Sequence, residues 1–326
     1  MRVAIIGGTG FIGSYLVEAL LERECRPVVL ARPGSERKVR RNVEVVSGDV
    51  GAIGDLVKLL SNCDAAIYNI GILREDRAHG ATFEALQYEG VLRTLEAAQA
   101  CRVPRLLLMS ALGAKRAGTG YQDTKFRAER AVLQSQLDVT VFRPSVVFGD
   151  PKGANEFATQ LRDDMVTSFS PAVGFFNAFG PHRGPVMLSP VHVRDVADAF
   201  VAALFDTETI GETLTLAGPE TLSWRTIVQR LCQVAGRSRW IWPVPLQAMM
   251  VPARLFGRFV WFPVTADQLK MLAEGSVATP GELEALIGRK ARAFANGSLA
   301  YLASEAATVD EASQSQSLPK QTVGKR

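Results

Sequence analysis

The sequence predicts an α/β chain, a doubly wound parallel sheet with a small, mainly helical C-terminal lobe. Three observations carry this. The strand-like run "RVAII" enters three glycines spaced by three (Gly7, Gly10, Gly13), and a helical period follows at once. Further strand-like runs then alternate with helical stretches up to Gly149. Past Pro219 the strands give way to helical, Pro-interrupted segments.

Taken in order, "RVAII", "PVVLA", "VEVVS", "AAIYNI" and "RLLLMS" read as strands, with helices at "SYLVEALLE", "GDLVKLLS" and "ATFEALQYEGVLRTLEAAQA" between most of them. A helix at "YQDTKFRAERAVLQSQ" and a strand at "VTVFRPSVVFG" follow, nearly completing the Rossmann count of strands. Residues 165–185 are rich in aromatics, Gly and Pro, as suits loops and short elements over a cleft. The strand "VMLSPVHV", the helix "DVADAFVAALF" and the strand "ETLTLAG" then return to the sheet. The expected organisation is a dinucleotide-binding domain over 1–150, completed by about 186–218, with a substrate or partner lobe from 151–185 and 219–303. Residues 304–326 lack an apolar period and read as a disordered tail. No internal repeat is evident.

At 326 residues, 47% hydrophobic and 21% charged, the chain has an ordinary soluble composition with ample material for a core. A net charge of +4 is too modest to indicate nucleic acid, and neither a zinc spacing nor a recognition-helix pattern is found, so no metal is expected. Cys25, Cys63, Cys101 and Cys232 are scattered, and the first strand at residue 2 leaves no stretch for a signal peptide. Reduced thiols in a cytoplasmic setting are expected. No run of about 18 apolar residues suggests a membrane span.

In the glycine turn each residue has its own task. Gly7 lets the chain reverse, Gly10 lacks the Cβ that would keep a pyrophosphate away, and Gly13 lets the helix pack on the strand. Amides of the turn and helix start, from Thr9 through Phe11 and Ile12, would face the anion. At the end of the second strand, where a carboxylate would favour NAD, the sequence has Ala31 and Arg32, then a basic run with Ser35 and Arg37. The missing acid and the guanidinium forks favour NADP(H) over NAD(H). Asp49 would bond the adenine amino group and Val50 pack on its ring, or Asp49 is a turn residue capping the next helix. After the fourth strand, Asn69 to Gly71 would let backbone pass close to the cofactor. Pro144, Ser145 and Val146 would lie beside the nicotinamide, or mark a strand end turned by proline.

Tyr121 and Lys125, four apart at a helix start, share a face. An ammonium there would lower the phenol's pKa and hold the nicotinamide ribose, so that the tyrosine could pass a proton. His192 and Asp195 read as a helix N-terminus rather than a catalytic pair.

With "GGTGFIG", "GDV", "YQDTK" and "RPSVVFG" in this order over residues 1–149, the chain resembles the short-chain dehydrogenase/reductase superfamily in its extended or atypical branch. "NIGILRED", "MSALGA", "SPVHVRDVADAFVAAL" and "FPVTADQLKML" look most like the group holding the nucleotide-binding accessory subunit of respiratory complex I and its bacterial relatives, over about residues 1–303. Proteins of ubiquinone biosynthesis and photosystem assembly share this frame. In catalytic members the resemblance implies a serine or threonine that holds the substrate carbonyl. Here that place falls on Ser110, or on Ala111 with a one-residue shift, and the linker to Tyr121 is short for an extended member. Members near the complex I subunit imply NADPH held as a structural or sensing ligand.

"RWIWPVPLQAMMVPARLFGRFVWF", residues 239–262, gathers three of four tryptophans with Arg239, Arg254 and Arg258. Its apolar residues keep a helical period across Pro252, suiting either a core-facing lobe helix or a lipid headgroup interface. The expected function is an NADP(H)-preferring oxidoreductase acting on a small or quinone-like carbonyl. Tyr121 would donate the proton, with Lys125 tuning it and Ser110 polarising the substrate. The alternatives are a nucleotide-loaded accessory or assembly factor docking on a respiratory or quinone-biosynthesis complex, peripheral on the inner face of the membrane, and a nucleotide-sugar epimerase or dehydratase.

Overall fold

The computed structural model describes residues 1–168, 171–256 and 264–303. The expected tail at 304–326, residues 169–170 of the cleft-capping stretch and residues 257–262 of the tryptophan- and arginine-rich stretch lie outside the described residues.

The chain first lays down β1 (Arg2–Ile6), α1 (Phe11–Glu22), β2 (Arg26–Ala31), β3 (Glu44–Ser47), α2 (Ile53–Leu60) and β4 (Ala65–Tyr68). Next come α3 (Gly90–Cys101), β5 (Arg105–Met109), α4 (Gly120–Leu133) and β6 (Asp138–Pro144). The remaining elements are β7 (Val147–Phe148), α5 (Phe157–Leu161), β8 (Ala172–Asn177), β9 (Gly184–Pro185), β10 (Met187–Leu188), β11 (Val191–His192), α6 (Val193–Phe205) and β12 (Thr213–Leu216). Then follow β13 (Leu222–Ser223), α7 (Trp224–Val234), β14 (Ile241–Pro245), α8 (Leu246–Phe256), α9 (Ala266–Glu274) and α10 (Glu282–Ile287).

Seven strands form one parallel sheet in the order β12-β6-β5-β4-β1-β2-β3. Its central strands are apolar runs because both faces are covered. Along β1, Val3 and Ile5 pack on the α1 and α6 side, whereas Ala4 and Ile6 pack on the α2 and α3 side, as a two-residue period requires. The strand order reverses between β1 and β4, so a crevice opens at their C-terminal ends. Gly7 and Asn69 follow those two ends directly.

Four segments differ from the sequence reading. The strand expected over 139–149 stops at Pro144 as β6, and the separate β7 pairs with β11 outside the main sheet. The strand expected over 186–193 does not rejoin the main sheet. It splits at Ser189–Pro190 into β10, paired with β13, and β11, paired with β7. The helix expected over 81–100 begins with a wide π turn at Glu84–Glu89 before α3. There the Tyr68 hydroxyl donates to the Leu86 carbonyl, and a Cβ on Gly90 would stand 2.2 Å from that hydroxyl oxygen. The C-terminal region is mixed, because β14 pairs in parallel with β8. Its separate core includes Phe148, Phe175, Trp224, Ile227, Leu269 and Phe294. α8 runs through Pro252 with Leu246 and Ala253 turned to the core, while Val251 and Leu255 stand exposed.

Candidate active site

The turn between β1 and α1 is shaped by contacts that side chains would break. Gly7 holds φ +93, and a Cβ there would lie 2.9 Å from the Asn69 backbone. A Cβ on Gly13 would lie 2.2 Å from the Gly7 carbonyl oxygen, so the first turn of α1 rests directly on the strand end. On Gly10 it would meet nothing closer than 3.6 Å, which leaves room for an approaching ligand. No side chain caps α1 and its first turn carries no acid, so Phe11, Ile12 and Gly13 present amides to the crevice unopposed. Thr9 sits in the turn itself. Gly8 was not singled out by the sequence reading, yet a Cβ on it would strike Val29 at 2.8 Å.

Past the C-terminal ends of β2 and β3 lies a cleft of about 280 Å³ lined by Arg32, Asp49, Val50, His79, Glu89 and Arg93, among others. It unites three of the residues expected at the adenosine end. Ser35 and Arg37 stand apart from its lining, at the cap and within the 3-10 turn Glu36–Lys38. Asp49 Oδ1 accepts from the Gly51 amide at 2.7 Å, making a local turn, and α2 is capped at Ala52 without a side chain. His79, Glu89 and Arg93 were missed because they come from a loop and a helix about thirty or more residues further along the chain.

At the sheet's other half, α4 starts with a capping box in which Thr119 and Gln122 satisfy each other's backbone amides. Tyr121, Lys125 and Glu129 then recur every four residues. Lys125 is 2% exposed, and its ammonium donates to the carbonyls of Met109 at 2.8 Å and Ile70 at 3.1 Å, the ends of β5 and β4. Gly71 passes beside it, where an added Cβ would make ordinary contact with Lys125 Nζ at 3.7 Å. Burial pulls Lys125 down to about 8, against the opposing pull of Glu129. Tyr121, packed edge-on against Phe83, is pushed up to about 12 by burial. Burial thus outweighs the lowering of the phenol expected from Lys125, whose ammonium donates to the two carbonyls.

Ser110 stands at the end of β5, 3% exposed, and its hydroxyl donates to Glu129 Oε1 at 2.5 Å. Arg143 closes on the same carboxylate through both oxygens, at 2.8 and 2.6 Å. Glu129 was missed by sequence reasoning, although its spacing from Lys125 repeats that of Lys125 from Tyr121. Pro144 ends β6, and its carbonyl accepts from Leu112. The Ser145 amide donates to Leu216 and the Val146 carbonyl accepts from Val191, which fixes the peptide between them. The C-terminal region reaches this point: Ser145 Oγ meets Ser276 at 2.9 Å, while Glu274 binds Lys115 at 2.6 Å and Gln122 at 2.8 Å.

Residues 7–171 match the NAD(P)H-binding family. The chain belongs to it, within the atypical short-chain dehydrogenase/reductase superfamily. It is 25% identical over 287 residues to the mitochondrial NADH-ubiquinone oxidoreductase 40 kDa subunit of Neurospora crassa, covering 85% of this chain and 72% of that one. It is 33% identical over 150 residues to the ceramide reductase of Caulobacter vibrioides, or 45% of this chain and 46% of that one. A short-chain dehydrogenase/reductase superfamily protein of Agrobacterium tumefaciens with bound NAD shares the fold, with a TM-score of 0.68 and 15% identity, covering 97% of this chain and 100% of that one.

The residues present fit the dinucleotide this NAD(P)H-binding family takes. The glycine turn with its uncapped helix start follows β1, and the cleft around Arg32 and Asp49 follows β2 and β3, so both stand at the C-terminal ends of adjacent strands next to the switch point. His192 and Asp195 serve the scaffold instead. His192 Nδ1 accepts from the Arg194 amide and caps α6, and burial lowers its pKa to about 4. Asp195, fully buried, binds Arg289 and both the amide and guanidinium of Arg292, tying the segment after α10 to α6.

Proposed function

We propose that the chain is an NADP(H)-preferring reductase of a small or quinone-like carbonyl. The observation carrying this reading is the placement of Lys125, its ammonium buried between the ends of β4 and β5 one turn from Tyr121. Bound reduced nicotinamide would supply a hydride. Lys125 would hold the ribose, and Tyr121 would give its phenolic proton to the carbonyl oxygen. A phenol raised to about 12 stays protonated at neutral pH and is available as a donor. Because the Ser110 proton is engaged by Glu129, Tyr121 carries the polarisation of the carbonyl largely alone. Arg32, lining the cleft after Ala31, supports the preference for the 2′-phosphate. The similarity to a ceramide reductase supports a carbonyl on an apolar body.

A second reading is a nucleotide-loaded accessory protein docked at a membrane respiratory complex, as the similarity to the 40 kDa subunit suggests. The engaged Ser110 favours it, and so does the C-terminal region. Trp240, Trp242, Val251 and Leu255 are each more than half exposed. Between Thr221 and Val264 the sequence has six arginines and no acidic residue.

Absorbance of protein-bound NADPH, followed after adding a soluble ubiquinone analogue or a long-chain ketone, separates the two. Oxidation in the wild type that falls 100-fold or more in Tyr121→Phe, with NADPH affinity retained, supports the reductase. Turnover indifferent to Tyr121, or NADPH that persists in both proteins across such carbonyls, overturns it in favour of the second reading.

A further inference from the structure

Tyr121, Lys125 and Glu129 share one face of α4, and the third member is a carboxylate only 2% exposed. A buried carboxylate needs partners, and Glu129 has two of different kinds. Arg143, from β6, grips both its oxygens, and the Ser110 hydroxyl, from the end of β5, donates to one of them. One turn towards the helix start is Lys125, whose ammonium donates to the neutral carbonyls of Met109, at the end of β5, and Ile70, just past β4. Besides these two carbonyls, Glu129, one turn on along the same helix, acts on the ammonium through its charge. Of these, Glu129 alone brings a negative charge.

We propose that Glu129 is a positioning residue of this site: clamped by Arg143, it fixes Ser110 and supplies the counter-charge that keeps Lys125 an ammonium at the cofactor ribose. The two flanking cations divide one carboxylate. Removing the Glu129 charge leaves the buried Lys125 with no carboxylate to offset the half-buried Arg143, and Lys125 then gives up its proton more readily. Removing the Arg143 charge leaves the carboxylate wholly to Lys125, which then holds its proton more firmly. A purely packing role for the pair would make both changes destabilising without opposite effects on protonation.

The inference rests on the placement of Lys125 at the ribose, and the test separates the two. The dissociation constant of NADPH is measured by fluorescence between pH 7 and 9.5 for the wild type, Glu129→Gln, Arg143→Gln and Lys125→Met. In the wild type, affinity falls through a break near pH 8 that Lys125→Met abolishes. Glu129→Gln shifts that break down, and Arg143→Gln shifts it up, each by about one pH unit. If the wild type has no break that Lys125→Met removes, the placement of Lys125 is wrong. A break that stays put in both charge variants, while each still unfolds cooperatively, overturns the role of Glu129. Should Glu129→Gln fail to fold, the upward shift in Arg143→Gln decides alone.

Discussion

Lys125 carries into the folded protein a proton that it holds less firmly than the free side chain does. Its pKa is near 8 against an ordinary 10.5, first because of burial. Below pH 8 both the folded and unfolded states keep the proton, and the contribution is flat. As pH rises from 8 towards 10.5 the folded state releases it first, so the unfolded state binds more protons and stability rises. Urea unfolding at stepped pH should show this rise in the wild type, with a slope on the order of 1 kcal/mol per pH unit relative to Lys125→Met. A difference that falls over this range would contradict the burial. Gly13 offers a second test. Its Cβ would sit 2.2 Å from the Gly7 oxygen, so Gly13→Ala should cost on the order of 1–3 kcal/mol and weaken NADPH at least tenfold. Calorimetry and a binding titration read both effects. Of these residues, the glycines were legible because each stands where the strand and helix patterns meet, and Lys125 because its spacing from Tyr121 is local. The engagement of Ser110 by Glu129 was hidden, since a sequence gives the end of a strand but not the direction of its last hydroxyl.

The start of α4 gathers several constraints within one turn. Thr119 accepts from the Gln122 amide, and Gln122 Oε1 accepts from the Thr119 amide while its Nε2 donates to Glu274. Replacing Thr119 by alanine should lower stability by about 1 kcal/mol, the usual cost of a lost cap. The Gln122 to Glu274 bond should loosen with it, read as faster hydrogen exchange at the end of α9. Slowed or unchanged exchange there would show the two contacts to be independent. The elements of the main sheet were readable because strands buried on both faces become continuous apolar runs, as β5 does with all five residues buried. The split between β10 and β11 was not, because which neighbours each two-residue strand finds depends on β13 and β7, far off in sequence. The π turn before α3 likewise answers to Tyr68, a strand residue about twenty positions back.

Across the molecule, the C-terminal region touches the candidate site through residues separated by more than 130 positions, Ser145 with Ser276 and Gln122 with Glu274. No local pattern marks such contacts, so the sequence located the glycine turn and the strand ends of the switch point but not the C-terminal residues that cover them. The same region exposes Val251 and Leu255 on one side of α8, an arrangement that serves the accessory reading. On that reading the protein should sediment with phosphatidylglycerol vesicles at low salt, and Val251→Asp/Leu255→Asp should weaken this at least tenfold. Absence of vesicle binding would count against that reading. Both readings require the nucleotide first, and the proposed preference for NADPH rests on Arg32, which lines the cleft directly after Ala31 at the end of β2. The most direct measurement is a calorimetric titration of the wild type with NADPH and with NADH at pH 7.5. The account predicts NADPH binding at least tenfold tighter, with the gap narrowed by Arg32→Ala; NADH binding equally or more tightly would contradict it.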